Sequence, residues 1–429
     1  MFSRRRFLQA GTLATGASFA VFPRSLRAED ACTPLPPSIT SLKSMRDQAR
    51  PITVEERTAR QEKAKQLMKA NHLDGLLLME GTALRYFTGV DWWGGERLFA
   101  VVLTTKGRTL CVCPAFEEGR ARELLANSPE GKSADVRTWQ EDQNPYQLLA
   151  EGLKDLGIST GSLGMDETVR FVFSSGIAKA APQLKITSGT AVTAGCRMVK
   201  SDHELELMSL ANKVTITAYQ AAYHALQEGM TQPQVEQLIV KANERLGFPG
   251  EVDIDIGENS SFPHGSIVPQ VIQKGTLVLI DGGGPVEGYQ SDISRTFVFG
   301  KPSDKMKSVF EIVHRAQAAA LKTARPGVEC QAVDAAARKV ITDAGYGPDY
   351  KFFTHRVGHG IGMDGHEWPY LVRGNTTLLA RDMTFSDEPG IYIAGKFGVR
   401  LEDDMHITEN GAELFTPQSP SLEDPFGTG

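Results

Sequence analysis

The chain has 429 residues, a formal net charge of −6 and 41% hydrophobic residues, the composition of a folded protein with core enough for two domains. Beyond its first residues it carries no basic run, and no segment reaches the length of a membrane span, which excludes nucleic acid and an anionic membrane as partners. Five cysteines, Cys32, Cys111, Cys113, Cys196 and Cys330, lack the spacings of a zinc site and read mostly as buried free thiols, one disulfide remaining open.

Taken in order, Ser3-Arg4-Arg5-Arg6-Phe7-Leu8-Gln9 precedes a mildly apolar run over 10–22, too short to span a bilayer. Paired arginines, Phe-Leu and a modest apolar stretch resemble a twin-arginine export signal, with Leu26-Arg27-Ala28 as a fitting cleavage site. That resemblance implies a periplasmic or secreted protein that loses residues 1–28. Those residues hold five arginines and no acid, so the charge of the mature chain moves from −6 to −11. Residues 29–52, polar and proline-bearing, read as a linker.

From Thr53 the pattern becomes helical, and Asp74-Gly75 stops it before a strand over 76–79. Further strands are predicted over 99–104, 109–112 and 162–165, and helices over 116–126 and 146–156. This alternation gives an α/β N-terminal domain over 53–195. A second domain, 196–420, opens with Ser201 or Asp202 capping a long helix, Glu204 or Glu206 in its first turn, and a short tail follows over 421–429. Within it Gly229-Met230, Val235 and Gly247 recur as Gly327-Val328, Val333 and Gly345 at one constant offset, each set reading as turn, helix and glycine stop.

A hairpin follows each copy. Over 276–299, two β-rich runs flank a Gly/Pro turn, each with an aspartate where a strand prefers Val or Ile. With the turn centred between Val286 and Glu287, Asp281 and Asp292 face each other, Cβ atoms about 4.5–5.5 Å apart. Such a pair must share a proton or bind a cation. In the second hairpin, Glu388 and Glu402 lie symmetrically about Gly395. Four acids at one pseudo-twofold centre require divalent cations, and oxygen-rich ligation with one nitrogen suits manganese, iron, cobalt or zinc. The nitrogen comes from the run His355 to Glu367, where Gly358, Gly360 and Gly362 argue against a helical His355/His359 pair and let backbone approach a metal beside His359.

Asp281, Asp292, His359, Glu388 and Glu402, within Asp-Gly-Gly, Ser-Asp-Ile-Ser-Arg-Thr, Gly-His-Gly-Ile-Gly, Glu-Pro-Gly-Ile-Tyr and Arg-Leu-Glu-Asp, resemble the dinuclear pita-bread metallopeptidases. Tyr86-Phe87-Thr88-Gly89 and the Arg197…Lys200…Glu204 junction resemble their Xaa-Pro aminopeptidase and prolidase branch. The resemblance implies an α+β pita-bread catalytic domain with an internal pseudo-twofold repeat behind the α/β domain, and a homodimer. It implies two divalent ions, Mn²⁺ before Co²⁺, Zn²⁺ or Fe²⁺, with Asp281 on one, His359 and Glu388 on the other, and Asp292 and Glu402 bridging. A bridging hydroxide would attack a peptide with proline at its second position. Glu388 would shuttle the proton, His264 and His366 would hold substrate and scissile carbonyl, and His355 and Arg400 would line the site, Arg400 contacting substrate.

Each residue has a plainer reading beside this one. His264 could cap a turn, His355 could support His359, and Arg400 could neutralise the acids near Glu402. Asp387, Asp403 and Asp404 read as support or solvated groups, and Trp92, Trp93 and Trp368 as pocket wall or packing. Asp387, where many of those enzymes carry an apolar residue, and Gly282-Gly283-Gly284 depart from the pattern and leave the substrate open. The same fold could also serve a small-molecule amidohydrolase, a metal-dependent lyase or a binding protein without activity.

Overall fold

The computed structural model describes residues 34–427, so the export signal expected over 1–28 lies outside the described residues, as does Cys32. Met1–Pro37 and Ser38–Gly429 are separate units, and every element named below belongs to the second. Helix α1 (Val54–Ala70) starts where the sequence predicts, because the Thr53 hydroxyl accepts from the Glu56 N–H while the Glu56 carboxylate accepts from the Thr53 N–H.

Six strands follow, β1 (Gly75–Leu78), β2 (Ala100–Thr104), β3 (Thr109–Pro114), β4 (Asp135–Trp139), β5 (Gly161–Met165) and β6 (Leu184–Ser188). They form one mixed sheet in the order β4-β3-β2-β1-β5-β6. Helices cover both faces, so the central strands read as unbroken apolar runs rather than alternating ones. On one face α1, α2 (Gly81–Thr88) and α3 (Glu118–Leu125) pack through Met68, Phe87 and Leu125 against Leu76, Val101 and both Cys111 and Cys113. On the other, α4 (Pro145–Asp155) and α5 (Phe171–Ala180) pack through Leu149 and Phe173 against Leu77 and Val102. Helix α6 (Thr190–Arg197) then leads out of this sheet.

The remainder is built twice. Helices α7 (Asp202–Tyr223), capped by Ser201, and α8 (Gln232–Leu246) precede β7 (Glu251–Ile256), β8 (Thr276–Gly283) and β9 (Ile293–Phe299). Helices α9 (Asp304–Thr323) and α10 (Cys330–Asp343) precede β10 (Gly358–Gly360), β11 (Glu367–Leu371) and β12 (Thr384–Asp387). The repeat seen in sequence recurs in hydrogen bonds. Gly229 N–H donates to Ile272 O at 2.7 Å, and Gly327 N–H donates to Leu379 O at 2.9 Å, both glycines having positive φ.

The first hairpin differs from expectation. Asp281 stands opposite Ser294, not Asp292. The turn is a two-residue one with Glu287 (φ 50°) and Gly288 (φ 93°) at its centre, closed by paired bonds between Val286 and Tyr289. Positive φ at both central residues gives the turn whose twist matches the strands, and it moves the centre one residue along. Asp292 thereby becomes the diagonal neighbour of Asp281 on one face, just before β9.

The second hairpin keeps its expected symmetry across an interruption. β13 (Gly390–Ile393) pairs with β14 (Phe397–Arg400), Gly390 opposite Arg400. β12 pairs with β15 (Asp403–Ile407), Asp387 opposite Asp403, in the same register. Glu388 and Glu402 occupy the gap between these ladders, where Pro389 has no N–H to donate. Their carboxylates are thus freed from the sheet while their separation is set by it.

The ends of this unit are fastened. Met45 N–H, within the expected linker, donates to Leu246 O, and Ile52 is buried. Leu422 O, in the expected tail, accepts from Val298 N–H. No helix among the described residues is long and apolar enough to cross a membrane.

Candidate metal centre

The five residues expected to bind metal meet at the floor of a cavity of about 390 Å³. One ligand atom each from Asp281, Asp292 and Glu402 lie within 4.8 Å of one another, as do those from His359, Glu388 and Glu402. A third such group joins Asp292, His359 and His366. Glu402 therefore belongs to two triads that share no other member. Asp281 and Asp292 come from the first half of the repeat, and His359, Glu388 and Glu402 from the second.

The electrostatics fit cations. Asp292 and Glu402 are pushed well above the usual carboxylate range, first by burial and then by their neighbours' charge. Burial raises Glu388 to about 7. Asp281 alone is lowered, because Arg400, at 2.5 Å, and the Ser294 hydroxyl outweigh its burial. Ser294 Oγ lies 2.6 Å from both Asp281 Oδ1 and Glu402 Oε2, and a hydroxyl has one proton for two acceptors. A divalent ion resolves this crowding, and the donor set of four carboxylates and one imidazole is chemically suited to it.

The imidazoles are set as neutral tautomers. His359 Nδ1 donates to Gly360 O at 3.1 Å, leaving Nε2 as a free ligand atom 3.4 Å from Glu388 and 3.8 Å from Asp292. Burial lowers His359 to about 3, so this nitrogen is unprotonated at neutral pH. His366 stacks on His359 with ring centroids 3.7 Å apart. Its Nδ1 lies 3.2 Å from an Arg356 nitrogen; a guanidinium only donates, so the His366 proton sits on Nε2. His355, lowered to about 3 by burial, gives Nδ1–H to Arg356 O and accepts the Tyr392 hydroxyl at Nε2, 2.8 Å away.

His264 is an exposed residue on the cavity rim. Arg400 lines the cavity, but its donors go to Asp281, Ser294, Tyr392 and Pro263 O, a neutralising arrangement. Asp387, Asp403 and Asp404 are fully buried, not solvated. Asp403 pairs with Arg295 at 2.6 Å, and Asp404 accepts the Asp292 N–H at 2.9 Å. Trp93 and Trp368 are exposed and Trp92 stacks on Phe99, so none lines this cavity. Polar residues outside the expected set include Ser294, which bridges two of the acids and whose signal was its period-two relation to Asp292, and Arg356, which lines the cavity and for which no local pattern tells where the guanidinium points.

The loop carrying His366 is held from the N-terminal side. Lys200 Nζ lies 2.6 Å from Glu367, Arg197 ion-pairs both Glu367 and Asp364, and Thr82 bonds Asp364. Although burial pushes Glu367 up, Lys200 and Arg197 hold it below its usual value. Gly362 is required beside them, since a Cβ there would lie 2.4 Å from Glu367 Oε1. Arg197→Met takes one of two cations from the buried Glu367, which keeps Lys200, and is expected to destabilise the fold by about 1.5–3 kcal/mol, read as a lowered denaturant midpoint.

Residues 206–409 match the model for metallopeptidase family M24, and residues 60–199 that for the creatinase/prolidase N-terminal domain. A Lactobacillus delbrueckii subsp. lactis protein named Xaa-Pro dipeptidase is 32% identical over 368 residues, covering 84% of this chain and 98% of its own. The crystal structure of dipeptidase PepE from Mycobacterium ulcerans is 33% identical, with a TM-score of 0.81 over 87% of this chain and 99% of that one. A prolidase from Thermococcus sibiricus is 29% identical, with a TM-score of 0.77 over 86% and 98%.

Proposed function

The chain belongs to metallopeptidase family M24, and from that premise we propose that it is an exported Xaa-Pro dipeptidase working with two divalent ions. The observation that carries this reading is the pair of triads meeting only at Glu402. Asp281, Asp292 and Glu402 would hold one ion, and His359, Glu388 and Glu402 the other, with Asp292 close enough to His359 to be shared. Manganese suits so oxygen-rich a set. When bound, such ions supply an activated water, its pKa lowered from 15.7 toward about 7, and Lewis acidity toward the carbonyl.

The chain's own residues supply the rest. Glu388, partly exposed to the cavity and 3.6 Å from His355, accepts the proton released on attack and returns it to the departing proline nitrogen. His366, with its proton on Nε2, donates to the carbonyl oxygen as negative charge develops there. His355, neutral and fixed by Tyr392, keeps a second positive charge away from Glu388. His264 closes the cavity rim over the substrate. Arg400 offsets Asp281 rather than reaching substrate. The arginine pair near the N-terminus supports folded export, and a homodimer would cover the exposed Trp93, Phe171 and Val172.

Metal analysis combined with a substrate panel tests this. We expect two ions per chain, hydrolysis of Ala-Pro and Gly-Pro with Ala-Ala refused, loss of activity on chelation and its return with Mn²⁺. Full activity in a demonstrably metal-free sample would refute the reading.

A further inference from the structure

Between the end of α10 at Asp343 and the start of β10 at Gly358 the chain forms no helix or strand, yet Phe353 and Val357 are fully buried. Buried backbone groups need partners, and here one ion pair on α10 supplies them. Arg338 and Asp334, one turn apart, are themselves buried. Arg338 Nε and Nη2 donate to the two Asp334 oxygens at 3.0 and 2.9 Å. Nη2 also donates to His355 O at 2.7 Å, and Nη1 to Phe353 O at 2.8 Å and Asp349 O at 3.3 Å, so every N–H of the guanidinium is placed. Asp334 Oδ1 takes a second bond, from Val357 N–H at 3.0 Å. Val357 O in turn accepts from Glu388 N–H at 2.8 Å. Glu388 lies in the gap between two ladders, so this carbonyl, and not a strand partner, fixes its backbone.

We infer that the Asp334–Arg338 pair is a positioning device for Glu388 and its neighbour His355, and that it governs turnover rather than substrate binding. This rests on the peptidase reading above. Through His355 O the pair sets the imidazole that stands 3.6 Å from Glu388 and accepts the Tyr392 hydroxyl. Through Val357 it sets the backbone of Glu388 itself. Arg356, between these anchor points, is held separately, its guanidinium over the Tyr370 ring of β11, 4.2 Å from the centroid. The scissile carbonyl is met from the other side, by His366 on the loop fastened through Glu367, which the pair does not touch. A shift of about 1 Å in a reacting group can cost about 10²-fold in rate, and this segment has no ladder of its own to limit such a shift.

Steady-state kinetics of the Mn²⁺-loaded protein on Ala-Pro, with calorimetric binding of its reduced-bond isostere, test this. In Asp334→Asn an amide N–H faces the Arg338 donors and pushes the guanidinium out of place. In Arg338→Lys the charge stays, but an ammonium has too few donors for the acceptors that Arg338 serves. Each variant is expected to lower kcat about 30-fold while KM and isostere binding stay within about threefold of wild type. A role in stability alone would leave the kcat of the folded enzyme unchanged, so a kcat within about threefold of wild type overturns the inference. An equal loss of isostere binding and turnover also overturns it, since the pair would then shape the whole cleft. Should neither variant fold, amide exchange in the wild type decides. Val357 and Glu388 are expected to exchange as slowly as the interior of α10, and exchange within about the first minute overturns the inference. Failure of the peptidase reading looks different: the wild type then turns over no Ala-Pro, whatever its amide exchange.

Discussion

Glu388→Gln and His359→Ala are each expected to lower kcat/KM on Ala-Pro by at least about 10³-fold. The glutamine variant keeps the shape of a side chain wedged between Ser386 and His355, but it can neither take up the released proton nor contribute charge to an ion. The alanine variant removes the one nitrogen among the five residues expected to bind metal, together with the surface on which His366 stacks. Both should lower metal content, measured by elemental analysis on dialysed protein, while circular dichroism stays that of the wild type. Turnover by either variant above a tenth of wild type would remove the two-ion proposal and leave a family member with other chemistry.

The second large effect concerns the chelated protein, whose melting temperature should fall by at least about 5 °C between pH 6.5 and 8.5 and recover with Mn²⁺. Burial raises Glu388 to about 7 and Asp404 to about 8, and lifts Asp292, Asp387 and Glu402 well above their usual range. An acid with a folded pKa above its unfolded value, near 4, binds more protons folded than unfolded in between. Its stabilising contribution is complete below the unfolded value and is lost as pH rises through the folded one. Below pH 6.5 the buried histidines act in the opposite sense: His355 and His359, lowered to about 3, are neutral when folded but protonated when unfolded. The window above 6.5 isolates the acids. Scanning calorimetry with chelator and with Mn²⁺ reads the slope; a melting temperature that climbs with pH in the chelated protein contradicts the charge crowding.

What sequence reveals here depends on whether a property is local. Capping at Thr53 and Ser201, the glycine stops and the buried strands of the first sheet follow from nearest-neighbour chemistry, and all are found. Glu388 and Glu402 keep their predicted symmetry because one register runs through both ladders around them. The Asp281/Asp292 pairing was misplaced because a one-residue shift in turn centre, caused by positive φ at Glu287 and Gly288, moves every partner by two. Arg356 went unnoticed because its neighbours are fixed by contacts distant in sequence, Tyr370 by strand pairing and His366 by a loop held through ion pairs to Glu367, rather than by spacing. The alternation in β7, with Val252, Ile254 and Ile256 inward and Glu251 and Asp253 exposed, was legible but unused. Residues 38–52 carried too few apolar side chains to announce that they pack.

The interlocking of the two halves also sets an order of events. Ser294 reaches Glu402 across 108 residues of chain, so the pocket cannot exist until the end of the chain has been made and the second half has docked on the first. Ion capture is therefore among the last steps of folding, after loops of high contact order have closed. If the proposed folded export holds, the metal would be chosen in the cytoplasm, by the ions available there, and not in the compartment where the protein would work.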